Sequence, residues 1–434
     1  YYIEGNFGYN GSENFAKGHR FGFFPSIAVG YNISNEKFWQ PIKPVISNLK
    51  IRGSWGLVGN DATNAGRFAY MEDLVLGGSD SYTTGIRQDT YYSGPSWNRY
   101  FNPDLTWEVG EKINLGLDLQ LFNDFNLTFD IFREKRRDIF MTRENSIPEI
   151  VGTGETKITS NNGEMENKGL DLAIDYNKQI TKDFFLSFKS TLTFARNKVL
   201  KMDEPPYFEY PGLSDVGHPL GTYWGYVADG LFPDQETIDN SPRQDLGYTP
   251  QPGDIKYVNQ PNAKGEYDNV INSNDRVAIG HPYDPELVYG FGPSMKWKNW
   301  DFSFFFQGVA RTSFMMYGMH PFGTTSIKNM LQFVADDHWS VDNPNPNAAY
   351  PRLTKDSNGN NDQYSTYWLR NAAFLKLKNA EIGYTYKGMR FYLSGVNLLT
   401  FSPFKHWDPE MGGGNGLYYP TQRVFNIGFQ MTIQ

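Results

Sequence analysis

The sequence holds 434 residues with a formal net charge of −8, six histidines and no cysteine. An acidic chain lacks the basic field that general nucleic-acid binding needs, and without Cys there are no thiolate metal sites, disulfides or cysteine catalysis. Aromatic residues are abundant (28 Tyr, 33 Phe, 10 Trp) while mean hydropathy is −0.55, so apolar surface must be concentrated by position.

Taken in chain order, Tyr1–Tyr9 reads as a strand already under way. No signal-peptide pattern precedes it, so the chain reads as mature or as a fragment of something larger. Alternating segments then follow at Phe23–Ile33 and Leu49–Leu57. In Glu111–Phe122, Leu115 and Leu117 share one face against Asn114 and Asp118; in Phe125–Ile131, Leu127 and Phe129 oppose Asn126 and Asp130. A block of six charged residues, Arg133–Asp138, comes directly after. Asn167–Tyr176 sets Leu172 and Ile174 against Asp171 and Asp175, and Phe184–Phe194 sets Phe188 against Thr191 and Thr193. Glu286–Trp297, Trp300–Gly308, Phe374–Tyr386, Arg390–Leu399 and Arg423–Gln434 (with Ile427 and Phe429) complete the series. This is about a dozen strands of mostly ~9–13 residues, the length a tilted membrane-spanning strand needs. No run of eighteen apolar residues exists, so no transmembrane helix is expected.

The connections alternate between short and long. Phe122–Phe125, Asn177–Asp183, Lys298–Asp301 and Tyr386–Arg390 have hairpin chemistry, whereas 58–107, 197–285, 311–373 and 400–422 are long, irregular and rich in Gly, Pro and Asn. Globular domains rarely contain such loops; outer-membrane barrels do, with short turns in the periplasm and long loops outside. The expected fold is therefore all-β, a transmembrane antiparallel β-barrel with long extracellular loops. Tyr1 and the last residue then share the periplasmic side, with an even number of strands between them. A soluble sandwich or propeller is the competing architecture, but sandwich strands are usually shorter and no blade repeat is present.

Several segments resemble the SusC-like branch of TonB-dependent outer-membrane transporters. They are "FAKGHRFGFFPSIAVGYNIS", "LKIRGSWGLVGND", "NPDLTWE", "NKGLDLAI", "GHPLGTYWGYVADGLF", "PGDIKY", "NDRVAIGHPYDPELVYGFG", "FLKLKNAEIGY" and "LSGVNLLTFSPF", in family order over almost the whole chain. The resemblance implies the C-terminal portion of a 22-stranded barrel, with the N-terminal plug domain, the TonB-contacting segment and the first barrel strands absent from this chain. It implies TonB-dependent import of a large nutrient, a glycan or a peptide, together with a SusD-like surface lipoprotein. It implies no enzymatic activity. Two other readings stay open: a barrel serving as a non-transporting structural subunit of a larger outer-membrane complex, and a secreted β-rich glycan-binding protein.

The histidines (His19, His218, His281, His320, His338, His406) are scattered without ligand spacing, and no catalytic group is assigned. Family members carry a calcium loop near Lys264–Arg276; here Lys264 stands at its first position and Asn269 at its glycine, leaving Asp268, Asn272 and Asp275 as candidate Ca2+ ligands. The competing reading is a polar loop held by its own Asx hydrogen bonds. Aromatic residues in the long loops are candidates for substrate or partner contact: Tyr91, Tyr92, Tyr223, Trp224, Tyr226, Tyr364, Tyr367, Tyr418 and Tyr419. Trp97, Trp368 and Trp407 read as interface girdle or loop core. Arg133, Lys135, Arg136 and Arg137, where the fifth strand leaves the membrane, are candidates for anionic headgroups of lipopolysaccharide. The chain closes on Ile433 and Gln434 rather than the terminal aromatic that barrel assembly favours.

Overall fold

The computed structural model describes residues 1–62, 66–77, 81–143, 145–148, 150, 158–318, 322–323, 326–327, 331–354 and 357–432. His320, Ile433 and Gln434 lie outside them. Twelve long strands form a single antiparallel sheet in which neighbours in sequence are neighbours in space. They are β1 (Tyr2–Gly11), β2 (Phe21–Asn32), β3 (Ile46–Asn60) and β4 (Glu108–Leu121). β5 (Phe125–Arg143), β6 (Ile158–Thr181), β7 (Phe184–Lys201) and β8 (Leu287–Trp297) follow. β9 (Trp300–Ala310), β10 (Phe374–Tyr386), β11 (Met389–Phe401) and β12 (Val424–Met431) complete it.

Period-two alternation decides the two faces. Leu117 lies opposite Phe129, Phe129 opposite Leu172, Leu172 opposite Leu192 and Leu192 opposite Tyr289, one apolar row crossing five strands. Phe302, Ile382, Leu393 and Ile427 form a second such row across β9–β12. The other face is polar and self-paired. Arg52 reaches Asp118 at 3.3 Å and Asp130 at 2.6 Å, the Thr193 hydroxyl donates to Asp171 at 2.6 Å, and Arg390 grips Asp301 and Glu381. Asn126 sits between Gln120 and Asp175 on that face, and Lys189 approaches Asp175 at 3.9 Å.

The tight turns all close one end of the sheet. Lys387 and Gly388 both take positive φ (48° and 81°), the pair of left-handed residues that a type I′ hairpin requires. Phe122 and Asn123 do the same at the β4–β5 turn (53° and 62°). The long connections all leave from the opposite end.

The strands run further than apolar alternation predicts. β5 continues through the charged block to Arg143 and β6 reaches 24 residues, where ~9–13 are expected from the sequence. Cross-strand ion pairs replace hydrophobic contact along the extra length: Arg133 pairs with Glu166 at 2.6 Å, Lys135 with Glu164 at 3.0 Å and Arg136 with Glu108 at 3.2 Å. Main-chain hydrogen bonding carries the ladder, so the sheet persists after its greasy face ends. Among the described residues, no helix is long and apolar enough to cross a membrane.

Candidate functional site

The long connections are not independent flaps. Residues from 202–286, 311–373 and 402–423 share one hydrophobic core, in which Ile255, Ile271, Phe314, Met316, Val334 and Tyr350 are almost completely buried. Phe404 of the last connection meets Phe314 of the preceding one edge-on (4.9 Å between ring centres), and Trp407 stacks on it at 6.3 Å. The result is a folded cap at the long-loop end of the sheet.

A buried polar hub joins the first two of these connections. Asp254 is fully buried, and its Oδ1 accepts from Arg352 Nε (2.7 Å), Asn358 Nδ2 (3.0 Å) and Asn361 Nδ2 (2.9 Å). Its Oδ2 accepts from the Gln251 amide at 2.8 Å. Beside it, Asn361 Oδ1 accepts from the Ile255 amide (2.9 Å), while the Tyr257 hydroxyl donates to the Asn360 carbonyl (2.7 Å). Gly253, at φ 88°, lets Trp339 lie directly on the backbone where any Cβ would collide at 2.2 Å. The stretch Asn358–Asp362 falls within the long irregular connection 311–373, and nothing in its composition marks it as core.

The last connection is anchored differently. Lys376 of β10 has no exposed side-chain surface, and its ammonium meets Asp408 at 2.7 Å and also Glu410; Lys378 reaches Glu410 at 2.8 Å. Burial pushes both carboxyls up, but Lys376 with the Thr421 hydroxyl and the Glu410 amide at Asp408, and Lys376 with Lys378 at Glu410, outweigh it and lower both.

The loop aromatics divide into two sets. Tyr226 is buried against Tyr257, and the Tyr367 hydroxyl donates to the Ala348 carbonyl at 2.8 Å. Both are structural, because hydrophobic loops that fold on one another consume their own rings. Trp368 belongs to the same core, its indole donating to the Asn361 carbonyl at 2.7 Å, and so does Trp407. Trp224 is held by Asp215 at 2.6 Å and by the His218 ring. Tyr364, Tyr418 and Tyr419 remain substantially exposed, and Tyr223 is half-buried with its ring edge-on to Tyr364 at 6.5 Å. Burial, followed by the nearby Tyr283 and Tyr364, raises the Tyr223 hydroxyl to about 12. The neighbouring Tyr418 hydroxyl raises that of Tyr317. Tyr283 and Tyr317 thus join Tyr223, Tyr364 and Tyr418 in a five-tyrosine cluster; no spacing in the sequence singles out those two. A cleft of about 240 Å3 opens beside it, lined by Tyr317, Asn361, Gln363, Tyr364 and Trp368. Tyr91 and Tyr92 lie apart from it, on an exposed hairpin of Ser81–Thr84 and Thr90–Ser93 where Tyr92 stacks on Tyr82 at 5.1 Å. Trp97 stacks on Tyr100 at 5.8 Å.

The calcium-like loop uses its oxygens internally. Asp275 is buried, its carboxylate accepting from the amides of Gln260 (2.7 Å) and Asn272 (2.8 Å); burial is the leading influence and raises its carboxyl. Asn272 accepts from the Asn274 amide and Asp268 from the Val270 amide. Asn269 makes the sharp turn itself at φ 57°. Among the described residues, no three His, Asp or Glu side chains are grouped to hold a metal ion.

Of the charged block, Arg133, Lys135 and Arg137 continue the apolar face, whereas Arg136 lies on the polar face between Glu108 and Glu134.

An up-and-down sheet with one apolar and one ion-paired face, short turns at one end and a folded cap at the other, defines an outer-membrane β-barrel wall. The family described as TonB dependent receptor-like, beta-barrel, matches residues 3–398, and the chain belongs to it. This is a family of transporters, not enzymes. SusC of Bacteroides thetaiotaomicron is 29% identical over 98% of the chain and 41% of its own length. TonB-dependent receptor P3 of Formosa agariphila is 27% identical over 97% of the chain and 43% of its own length. A solved structure of the RagAB peptide importer in its open-open state superposes with a TM-score of 0.76 at 21% identity, covering 99% of the chain and 45% of that protein. The chain thus spans less than half the length of the relatives it matches.

The two faces predict opposite responses to substitution. Leu172→Arg, which puts a charge on the lipid face near the bilayer midplane, is expected to destabilise the barrel by about 2–4 kcal/mol. Asp171→Ala, one residue away on the polar face, is expected to have a much smaller effect. Urea titration of the intact receptor folded in bilayers measures both, and equal losses would contradict the assignment of faces.

Proposed function

We propose that the chain is the C-terminal part of a SusC/RagA-like barrel that imports a bulky nutrient, an oligosaccharide or a peptide, across the outer membrane. The cap faces outward and docks a SusD-like surface lipoprotein, with the tyrosine cluster and its cleft in contact with cargo or partner. Import is driven by TonB acting on the N-terminal part of the complete protein. The observation carrying this reading is the end-to-end similarity to SusC across all twelve strands and the cap segments between them. The named peptide importer with the same fold supports a peptide as one of the two cargo classes.

The test is made on the intact gene. Its deletion is expected to abolish growth on one class of glycan or peptide. Full-length protein restores that growth, and a version lacking the TonB-contacting segment does not; a lipoprotein co-purifies with the barrel. Unchanged uptake of every polymer offered would replace transport with a structural role in a larger complex.

A further inference from the structure

Directly above the apolar rows, on the same face and towards the cap, three cations stand opposite one another in register. Lys168 of β6 pairs with Arg133 of β5 on one side and with Arg196 of β7 on the other. Neighbouring strands lie roughly 4.8 Å apart, so this row packs three positive charges into about 10 Å. Like charges directly opposite in a sheet are destabilising, and two recessed carboxylates offset only part of the repulsion. Glu166, with 12% of its side chain exposed, holds Arg133 (2.6 Å) and Lys168 (2.7 Å). Glu286, with 4% exposed, holds Arg196 (3.1 Å) and Arg311 (2.7 Å). Each carboxylate is shared by two cations, Glu166 from one row nearer the cap, so each group keeps a surplus positive charge. Lys198, opposite Glu166 in the next row, is exposed and adds another. This surface is cationic in a chain whose net charge is −8.

Height fixes what the row meets. Arg133 lies eight residues beyond Phe125, a rise of about 19 Å for a strand tilted ~45°, against an apolar band ~25 Å tall. Arginine and lysine stems extend upward along apolar surface, which brings their heads to the outer-leaflet headgroups. There, planar guanidinium groups suit phosphate oxygens.

We propose that the row Arg133–Lys168–Arg196, with Lys198 above it, is a binding site for the phosphorylated headgroup of an outer-leaflet glycolipid, lipid A. The site is independent of the cargo and of the transport cycle. A phosphate between the three cations supplies the missing counter-charge and holds β5–β7 to the leaflet.

The experiment uses the intact receptor, purified from outer membranes in mild detergent, with bound lipid A quantified by mass spectrometry. Lys168→Gln/Arg196→Gln/Lys198→Gln is expected to lower bound lipid A about tenfold or more, while the charge-preserving Lys168→Arg/Arg196→Lys/Lys198→Arg retains it. Wild-type receptor stripped of lipid is also titrated with lipid A, with the same lipid lacking both phosphates, and with inorganic phosphate. A saturable rise in unfolding temperature with the first alone supports the site, and this arm decides the matter if the triple variant does not fold. Equal responses to phosphorylated and dephosphorylated lipid overturn the proposal, as does an equal response to inorganic phosphate. Lipid A retained at wild-type level by the neutralised variant overturns it too, and a loss of self-association at that level would assign the row to contact between copies.

Discussion

Lys376→Met is expected to release the 402–423 connection from the barrel mouth. The substitution keeps the bulk of a fully buried side chain and removes the charge facing Asp408 and Glu410. Removing one partner of a buried ion pair costs about 3–5 kcal/mol, because the other is left uncompensated in a poor solvent. Lys378 remains, but it reaches only Glu410. Local release is therefore expected to exceed barrel destabilisation, and hydrogen exchange should show protection lost across 402–423 and kept in β10 and β11. Protection unchanged in the loop would remove Lys376 as its anchor. The same anchor has a pH dependence of definite sign. Both carboxyls are held below their ordinary values in the folded state, so their contribution is present above the unfolded carboxylate range. It fades as pH falls through the lowered folded values, and acidification to that range should loosen the wild-type loop while neutral pH does not.

Asp254→Ala should dissociate the two larger connections from each other. The fully buried carboxylate is the acceptor for Arg352, Asn358, Asn361 and the Gln251 amide, so its loss strands one guanidinium and two side-chain amides together. A buried charge without its partner accounts for about 3–5 kcal/mol, and each orphaned amide adds about 1–3 kcal/mol. The cap core around Ile255 and Val334 depends on this hub for its alignment, so limited proteolysis is expected to cut within 202–286 and 311–373 while the barrel strands survive. Arg352→Gln combined with Asp254→Asn should recover part of the loss, since it removes the uncompensated charge. A cap as protease-resistant in Asp254→Ala as in wild type would refute the hub.

The membrane-embedded part of the fold was legible because lipid imposes a strict apolar alternation; Leu117, Phe129, Leu172 and Leu192 show it directly. The strand extensions were not, because beyond the bilayer the ladder is held by pairs such as Arg133 with Glu166, and charge alternation resembles a loop. In the cap, an aromatic ring on a loop carries no mark of which way it points. Tyr226 and Tyr367 therefore looked like contact residues and proved to be core, while Tyr317 and Tyr283 escaped notice. Asn358, Asn360 and Asn361 were hidden for a related reason: their short amides bond the Ile255 backbone and the Asp254 carboxylate at sequence separations above a hundred residues. Asn269 is a milder case, an asparagine adopting the left-handed turn that a glycine would favour.

The unequal strand lengths give the barrel mouth a slope. From Tyr176, level with Phe125, β6 continues to Ile158, a rise of about 42 Å at a ~45° tilt against ~25 Å for the apolar band, whereas the 11 residues of β8 and of β9 cover only about 26 Å. One flank of the rim is thus a stiff hydrogen-bonded parapet standing roughly 17 Å proud of the bilayer. β8 and β9, the next strands in the sheet, end far lower, and the connections they bear fold into the cap. Anything arriving along the cell surface meets a wall on the β5–β7 side and a doorstep on the other, so the direction of approach is built into the backbone before any side chain is consulted.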